Sequence, residues 1–342
     1  MVRFTVLGCG RIGRMHAANL ARHPGVELVS VFDIMDEAAN ATAQALGVRR
    51  AASTAEALSD PKVDAVLIAT PTATHVPLII EAARAGKAIL CEKPIDLDIE
   101  RVLQCRDEIA GFDPIVMIGF NRRFDPTFAA LRRRVEAGEI GRVEQVVISS
   151  RDPAPPPLSY IRGSGGLFHD MMIHDFDMAR SLVGDIVEVS ALGAVLVDPG
   201  IGEAGDIDAA MVTLRAASGA LVHINNSRRC AYGYDQRLEV FGEKGMLLAG
   251  NQRETTVEAH LADRTACRDP ILHFFIQRYT DAYAAEISHF VTAVETHTRP
   301  TPGFSDGLEA LRLADAAATS HSTGRSVRLD QVAGEALDSM MR

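Results

Sequence analysis

A glycine-rich turn near the amino terminus is the feature that most constrains the fold. Phe4 to Leu7 is an apolar run of strand length, and Gly8-Cys9-Gly10-Arg11-Ile12-Gly13 follows it directly and opens a helical pattern. Glycines at this spacing let the chain turn sharply, approach a pyrophosphate closely and pack a helix on a sheet. The string therefore predicts the phosphate-binding turn of a βαβ unit, whose cofactor-binding residues are Gly8, Gly10, Arg11, Ile12 and Gly13.

An acidic residue stands where such a unit needs one. Asp33 ends the next apolar run, Glu27 to Phe32, about 20 residues beyond the glycines. Its carboxylate can accept hydrogen bonds from the adenosine ribose, and its charge would repel a 2′-phosphate. Ile34 and Met35 supply no basic group to offset that repulsion, so the sequence predicts NAD rather than NADP. An ordinary glycine turn with a loop carboxylate is the alternative, and it leaves the matching context unexplained.

Strand-length apolar runs alternate with helical segments through the first third of the chain. Continuous apolar runs are typical of parallel strands covered on both faces, and strict alternation indicates a doubly wound sheet. After Phe120, closely spaced runs joined by turns such as 217–219 and 242–245 indicate antiparallel pairing. The predicted class is α/β, with an N-terminal Rossmann domain over residues 1–121 and a C-terminal α+β domain, mostly antiparallel, over 122–342.

Composition excludes several classes of function. The 342 residues carry a net charge of -10, and the longest basic tract, Arg132-Arg133-Arg134, is typical of a solvated helix face, which disfavours nucleic acid as a partner. The five cysteines are widely spaced and form no Cys-x-x-Cys, which disfavours a disulfide framework and a cysteine zinc site. No apolar stretch approaches the ~20 residues that span a bilayer, and no signal peptide is visible. We expect a cytoplasmic protein without membrane contact.

Two further strings follow apolar runs in the predicted parallel sheet. Thr70-Pro71-Thr72-Ala73-Thr74-His75 comes after Ala65 to Ala69, and Glu92-Lys93-Pro94 after Ala88 to Cys91. Loops at the carboxyl ends of parallel strands line the ligand crevice, so both strings are expected to face the nicotinamide. The predicted cofactor contacts in them are Thr70, Pro71, Thr72, His75, Glu92 and Lys93. A solvated loop lysine is the alternative for Lys93, and its place after a strand argues against it.

A third string, His169-Asp170-Met171-Met172-Ile173-His174-Asp175, carries acid–base chemistry. In a helix Asp170 and His174 share one face, where the histidine can take a proton from an alcohol and the carboxylate can fix its tautomer. The two His-Asp pairs also resemble metal ligands, but no further His or Cys lies at ligand spacing, so we expect no metal. A structural helix with a capped histidine stays open as a third interpretation.

These strings together resemble the Gfo/Idh/MocA oxidoreductase family over nearly the whole chain. The resemblance implies hydride transfer on polyols or sugars, and a C-terminal domain whose open sheet forms dimer or tetramer contacts. It implies a catalytic trio of Lys93, Asp170 and His174. Gly119 to Asp125, His169 to Asp177 and Tyr232 to Asp235 look most like inositol 2-dehydrogenases. By that likeness the substrate pocket contains Lys93, Asn121, Arg122, Arg123, Asp170, His174 and Tyr234.

The expected function is therefore NAD-dependent oxidation of a cyclic polyol, myo-inositol to 2-keto-myo-inositol, in inositol catabolism. A family dehydrogenase acting on another sugar or nucleotide-sugar is one alternative, and a nonenzymatic NAD-dependent sensor is another. The complete trio argues against the sensor. Ser150 and Asp152 stand where some inositol enzymes have a histidine and an asparagine, which leaves the identity of the polyol open.

Overall fold

The computed structural model describes residues 1–329, which form two compact units. The first contains Met1–Phe124 and Asp281–Leu311, and the second contains Asp125–Thr280 and 312–329. The sequence predicted a single boundary at residue 121. In the structure, residues 281–311 also belong to the first unit, so this unit is built from two separate parts of the sequence. The part of the predicted second domain beyond residue 329 lies outside the described residues.

The first unit is built on a six-stranded parallel sheet in the order β3-β2-β1-β4-β5-β6. This is the strand order of a dinucleotide-binding fold, and it confirms the predicted Rossmann sheet. Its successive elements are β1 (Val2–Leu7), α1 (Arg11–Arg22), β2 (Val26–Phe32), α2 (Asp36–Leu46), β3 (Arg49–Arg50), α3 (Thr54–Ser59), β4 (Ala65–Ile68), α4 (His75–Arg84), β5 (Ala88–Cys91), α5 (Ile99–Ile109) and β6 (Val116–Ile118).

The second unit contains a seven-stranded sheet and several helices. Its elements up to residue 278 are α6 (Pro126–Glu136), β7 (Val143–Arg151), α7 (Leu158–Ile161), a π-helical turn (Phe168–Met172), α8 (Ile173–Val183), β8 (Ile186–Ala194), α9 (Pro199–Glu203), β9 (Ala209–Ala216), β10 (Leu221–Ser227), β11 (Asp235–Gly242), β12 (Gly245–Ala249), β13 (Glu258–Ala259), β14 (Cys267–Arg268) and α10 (Phe275–Arg278). The chain continues with α11 (Thr280–Thr296), α12 (Phe304–Thr323) and β15 (Val327–Arg328).

Helix α11 explains why the spatial division differs from the one along the sequence. Its apolar side chains Ile287, Phe290 and Val291 belong to the same buried core as strand β1. The rings of Phe4 and Phe290 meet edge-on with centroids 5.9 Å apart. An amphipathic pattern predicts that one face of a helix packs against a core, but it does not determine which of the two sheets that face packs against.

The second sheet is mixed and mostly antiparallel, which confirms the predicted class. Its order is β12-β11-β7-β10-β9-β8-β15, and β7 pairs with β10 in parallel while the other neighbours pair antiparallel. The predicted hairpin turns at 217–219 and 242–245 join β9 to β10 and β11 to β12. The parallel pair escaped prediction because β7 and β10 are far apart in sequence, and no turn signal records their pairing.

The sequence pattern from Arg122 to Ala137 predicts one helix, but in the structure this segment is interrupted. A 3₁₀ turn covers Asn121–Phe124, and α6 starts only at Pro126. The residue before a proline is disfavoured in helical conformation, so Asp125 leaves the helix and caps it instead. Its Oδ1 accepts hydrogen bonds from the N–H groups of Thr127 and Phe128, at 3.1 and 3.0 Å.

Within residues 1–329, none of the helices is long and apolar enough to cross a bilayer.

A buried ion pair in the second unit gives a test of its stability. Arg278 pairs with Asp125, both almost wholly buried, and its guanidinium lies 5.4 Å from the ring centroid of Phe128. We expect Arg278→Met to lower the free energy of unfolding by about 3–5 kcal/mol, because it strands a buried carboxylate. Urea unfolding of the full chain measures this.

The matched control is Arg84→Met, since Arg84 pairs with Glu108 at 2.9 Å on the surface. This variant is expected to lose about 1 kcal/mol or less. Equal losses in the two variants would contradict the assignment of a stabilising role to the buried pair.

Candidate active site

The glycine turn has the geometry that a pyrophosphate requires. Gly8 has φ +97°, and a Cβ there would lie 2.5 Å from the carbonyl oxygen of Ala69. A Cβ on Gly13 would lie 1.9 Å from the carbonyl oxygen of Gly8, so α1 can approach the sheet only with glycine at this position. A Cβ on Gly10 would meet nothing within 4 Å. The first turn of α1 thus offers backbone N–H groups beside open space, which suits a phosphate.

Asp33 stands at the end of β2 beside this turn. Its Oδ2 accepts a hydrogen bond from the Cys9 N–H at 2.6 Å, and its Oδ1 accepts one from the Met35 N–H at 2.8 Å. These bonds fix the carboxylate against the glycine turn and leave it further acceptor capacity for ribose hydroxyls. Ile34 is 87% exposed and brings no cation. The site therefore fits a dinucleotide without a 2′-phosphate.

His75 joins the two loops that follow β4 and β5. Its Nδ1 lies 2.8 Å from the Pro94 carbonyl oxygen, and its Nε2 lies 2.9 Å from the Thr70 carbonyl oxygen. Burial lowers the pKa of His75, because its charged form is poorly solvated there. The ring lies between the two loops, and as a neutral imidazole it donates to one of the two carbonyls at a time. The expected contact of His75 with the cofactor stays a prediction.

Thr70, Pro71 and Thr72 form the first of these loops. The Thr74 hydroxyl donates to the Thr70 hydroxyl at 2.7 Å, and a 3₁₀ turn over Thr72–Thr74 leads into α4. These residues follow a parallel strand at its carboxyl end, as expected for cofactor contacts.

Glu92 and Lys93 form the second loop. The Glu92 N–H donates to the Ile68 carbonyl at 2.9 Å, and the Lys93-Pro94 peptide bond is cis. The Glu92 side chain pairs with His16 of α1, whose Nε2 lies 2.7 Å from Oε1. Burial alone would raise the pKa of Glu92, but the His16 hydrogen bond and the charges of His16 and Lys93 bring it below its usual range. An ionised glutamate thus precedes the lysine.

The 3₁₀ turn after β6 carries three predicted substrate residues, Asn121, Arg122 and Arg123, and all three are buried. The Arg123 guanidinium lies 2.9 Å from Asp306 Oδ1 and donates to the Thr301 hydroxyl at 3.1 Å. Arg123 is therefore held by an ion pair inside the first unit.

Asp170 lies in the second unit on the π-helical turn, and His174 lies in the first turn of α8. The sequence predicted a helix here, and the structure shows the wider i→i+5 form at Asp170, which is frequent at functional sites. Tyr160 donates to Asp170 Oδ1 at 2.8 Å, and Arg228 Nη1 lies 3.4 Å from Oδ2. Both carboxylate oxygens thus have a fixed partner.

The neighbouring histidine has different partners. His169 Nε2 lies 2.7 Å from Asp315 Oδ1, and its Nδ1 lies 3.1 Å from the Gly165 carbonyl oxygen. The sequence suggested His169 and Asp170 as a pair, but in the structure each side chain contacts other partners. In the part of the chain that is described, no group of three or more His, Cys, Asp or Glu side chains could hold a metal ion.

Tyr234 lies just before β11 and is 6% exposed. Its ring meets that of Tyr279 edge-on, with centroids 5.9 Å apart. The preceding Gly233 has φ +122°, and a Cβ there would lie 2.6 Å from the Ile271 side chain. This tight turn fixes Tyr234 within the second unit.

Sequence reasoning missed the side chains that hold the site residues. His16 supports Glu92, whereas Tyr160 and Arg228 support Asp170. For His16 a weak signal exists, since a histidine on the apolar side of α1 needs a polar partner. Tyr160 lies in α7 before the π-helical turn and Arg228 follows β10, and nothing in their local pattern marks them as partners of Asp170.

Comparison with known proteins identifies the family. Residues 2–120 match the model described as an oxidoreductase family with an NAD-binding Rossmann fold, and residues 128–248 match the GFO/IDH/MocA C-terminal domain. The chain belongs to the Gfo/Idh/MocA oxidoreductase family. Its first unit therefore carries the NAD-binding Rossmann domain of this family, which agrees with the open glycine turn and with Asp33.

Similar proteins in the Gfo/Idh/MocA family carry inositol-related names. An inositol 2-dehydrogenase of Rhizobium meliloti (strain 1021) is 50% identical over 330 residues, covering 96% of this chain and 99% of that protein. A myo-inositol 2-dehydrogenase of Thermotoga maritima is 47% identical and covers 97% and 100%. A myo-inositol dehydrogenase structure from Corynebacterium glutamicum ATCC 13032 superposes with a TM-score of 0.93 at 51% identity, covering 96% and 99%.

A more distant Gfo/Idh/MocA structure contains ligands. The scyllo-inositol dehydrogenase of Lactobacillus casei, with bound NAD(H) and scyllo-inositol, has a TM-score of 0.89 at 27% identity. The superposition covers 96% of this chain and 99% of the Lactobacillus casei chain.

The geometry at Asp33 predicts how cofactor preference can be changed. In Asp33→Ser with Ile34→Arg, the repelling carboxylate is lost and a guanidinium can pair with a 2′-phosphate. We expect the ratio of kcat/KM for NADP to that for NAD to rise about tenfold to a hundredfold. Steady-state kinetics with both cofactors measures this ratio.

The control is Ile34→Arg alone, which keeps the Asp33 charge and should change the ratio less. A wild-type protein that already prefers NADP would contradict the role given to Asp33.

Proposed function

We propose that this protein is an NAD-dependent inositol 2-dehydrogenase that oxidises myo-inositol to 2-keto-myo-inositol. The observation that carries the proposal is the 50% identity to an inositol 2-dehydrogenase across 96% of the chain. An alignment of 330 residues includes residues of both units. The residues assigned to catalysis lie in the loop after β5 (Lys93), on the π-helical turn (Asp170) and in α8 (His174).

The first unit holds the cofactor. Gly8, Gly10 and Gly13 admit the pyrophosphate at the start of α1 with the support of Arg11 and Ile12, and Asp33 accepts the ribose hydroxyls. Thr70, Pro71, Thr72 and the Glu92-Lys93 loop follow neighbouring strands at the same edge of the sheet. When bound, NAD supplies the acceptor for the hydride of the alcohol carbon.

His174 takes the proton of the reacting hydroxyl in this proposal. An imidazole is suited to that step because its ordinary pKa lies near neutral pH. Asp170 orients the imidazole and stabilises its charged form. The hydrogen bond from Tyr160 and the ion pair with Arg228 restrict Asp170 to one orientation, so the carboxylate is preorganised for this task.

Lys93 stabilises the negative charge that develops on the substrate oxygen. Its ammonium can donate a hydrogen bond to that oxygen, which favours loss of the proton to His174. The same positive charge disfavours protonation of His174 before the reaction. The trio thus combines one proton acceptor, one orienting carboxylate and one cation.

The substrate pocket is assigned to Asn121, Arg122 and Tyr234, with Arg123 fixed by Asp306. Buried amide, guanidinium and phenol groups are suited to a ligand that presents a hydroxyl on every carbon. A sugar or nucleotide-sugar substrate remains the second candidate, and the difference at Ser150 and Asp152 is the observation that favours keeping it. Both residues lie in or next to β7.

Two further parts of the proposal concern where and how the protein works. Among the described residues all five cysteines are free, which suits the reducing cytoplasm.

One face of the seven-stranded sheet is exposed and carries apolar side chains. These include Leu192, Met211, Phe241, Met246 and Leu248. We propose that this face forms a dimer or tetramer with a second copy of the chain.

Oxidation of inositols tests the function directly. With NAD and myo-inositol we expect reduced nicotinamide to accumulate, and its absorbance measures the reaction. The same assay with scyllo-inositol, glucose and nucleotide-sugars ranks the possible substrates. His174→Ala and Lys93→Met should each lower kcat by about 10²–10⁴-fold while NAD still binds. The double variant should lose less than the product of the two factors, because both groups serve one step.

The matched control is His169→Ala, a histidine of the same segment that pairs with Asp315 and should keep its kcat. Full activity of His174→Ala would remove it from the mechanism. Tight NAD binding without oxidation of any compound in the panel would favour the sensor instead.

The exposed sheet face gives a prediction about assembly. Leu192 and Met211 lie opposite each other on β8 and β9 and are 74% and 60% exposed. We expect the double variant Leu192→Glu with Met211→Glu to dissociate the oligomer, because paired charges would have to be buried in its interface. Light scattering measures the mass in solution. Ile34→Glu, an exposed apolar residue elsewhere, is the control, and an unchanged mass in the double variant contradicts the proposed face.

A further inference from the structure

A buried polar cluster lies in the first unit next to the Glu92-Lys93 loop. It consists of His16 on α1, Glu92 after β5, and Tyr283 and Glu286 on α11. His16 is 1% exposed and Glu286 is fully buried. His16 Nε2 lies 2.7 Å from Glu92 Oε1, and the ring of Tyr283 meets the His16 ring edge-on at 5.3 Å between centroids. The mechanism above uses neither His16 nor Glu286.

Three polar atoms of this cluster are buried without a hydrogen-bond partner. They are Nδ1 of His16 and both carboxyl oxygens of Glu286. A carboxylate isolated from water and from any donor is among the most costly groups to bury. The cost falls sharply if the carboxyl group keeps its proton, because it is then neutral and becomes a donor.

The proton has a natural place to go. When His16 donates from Nε2 to Glu92, its Nδ1 is an acceptor without a donor. A protonated Glu286 can supply that donor through a water molecule. If the proton moves to His16 instead, the imidazolium pairs with Glu92 and both glutamates are ionised. In both arrangements the three groups carry one negative charge rather than the two that they would carry in water near pH 7.

We propose that Glu286 holds a proton at neutral pH and shares it with His16, and that this neutral carboxyl is a positioning residue for Lys93. The inference rests on the proposed function, in which Lys93 acts on the substrate hydroxyl. Few groups separate Glu286 from Lys93. Glu286 acts on Glu92, partly through His16, and a peptide bond joins Glu92 to Lys93.

The position of Glu92 is restricted on both sides. One oxygen meets His16, and the other, Oε2, lies close to the backbone of Gly119 just after β6, where an added Cβ would come within 3.1 Å of it. A second negative charge on Glu286 would repel Glu92 from this position and move the peptide that leads into Lys93. Small displacements of a catalytic group can cost about 10²-fold in rate.

Electrostatics support the assignment of the proton. Burial, and then the charge of Glu92, raise the pKa of Glu286 well above its usual range, whereas the pKa of Glu92 is lowered. The titratable groups around Glu286 and Glu92 include His16 from α1, Cys91 from β5, Lys93 from the loop after β5, His75 from α4 and Tyr283 from α11 itself. Two carboxyls whose pKa values are displaced in opposite directions hold one proton between them over a wide pH range.

A stability measurement tests the proton without any need for activity. Native Glu286 keeps its proton at pH values where the unfolded chain has lost it, so the stability that it contributes is complete below about pH 4.3 and declines as the pH rises. Glu286→Gln removes this decline. The difference in Tm between Glu286→Gln and wild type should therefore grow between about pH 5 and pH 8.

The matched control is Glu295→Gln, a partly exposed glutamate on the same helix that pairs with the N-terminal ammonium of Met1. Its Tm difference should change little between about pH 5 and pH 7, where that ammonium keeps its proton. Infrared spectra give a second readout. At neutral pH the wild type and Glu295→Gln should show the C=O band of a protonated carboxylic acid, and Glu286→Gln should lack it. A band that is absent from the wild type, or a Tm difference that is flat, overturns the proposal even if the enzyme oxidises inositol normally.

Kinetics test the positioning role. We expect Glu286→Leu to lower kcat about tenfold with little change in KM for NAD, and to change the alkaline side of the kcat profile. Glu286→Gln should restore kcat to within about twofold at neutral pH, because the amide is neutral and can donate. Wild-type kcat in Glu286→Leu, or an equal loss in both variants, overturns the positioning role.

Each failure can be recognised separately. If Glu286→Leu does not fold, the infrared band still decides the proton assignment, and a loss of about tenfold in the kcat of Glu286→Gln overturns the positioning role of a neutral carboxyl. A protein that shows the band but oxidises no polyol overturns the proposed function and leaves the proton assignment supported.

Discussion

The alignment of strand ends in the parallel sheet is the constraint on which the cofactor site depends. Leu7 pairs with Phe32 and with Ile68, Ile68 pairs with Cys91, and Cys91 pairs with Ile118. The residues that follow these ends are therefore brought to one edge. Backbone hydrogen bonds impose this register, so the sheet brings the glycine turn, Asp33 and the Glu92-Lys93 loop to one edge. The hydrogen bond from Cys9 to Asp33 then fixes the carboxylate against the turn.

Buried charge is the second constraint, and the chain meets it mostly by pairing. Arg278 neutralises Asp125, and Arg228 lies against Asp170. In each case the pair also fixes a local structure, namely the cap of α6 and the orientation of Asp170. Glu286 differs, because no hydrogen bond reaches its carboxyl oxygens. A buried carboxyl group without an ion-pair partner is stabilised by protonation or by hydration, and this distinguishes Glu286 from the paired carboxylates.

The two sheets divide the work of the protein according to what covers them. Parallel strands β1, β4 and β5 are buried on both faces, apart from the half-buried Arg3, and leave only their ends for ligands. In the second sheet β9 alternates strictly between buried and exposed residues, so one face packs on the core and the other is available for a partner. The difference follows from the βαβ crossovers of the first unit, which place helices on both sides of a sheet.

The sequence by itself determined the Rossmann sheet, the glycine turn, Asp33 and the family, because these depend on local spacing and on periodicity within single elements. It also predicted the hairpins of the second sheet from their turns. Only the tertiary structure decided that α11 packs on β1, that β7 and β10 run parallel, and that His16 meets Glu92. Each of these joins segments distant in the chain, and the free energy that selects such a pairing comes from the packing of the whole core rather than from any local preference.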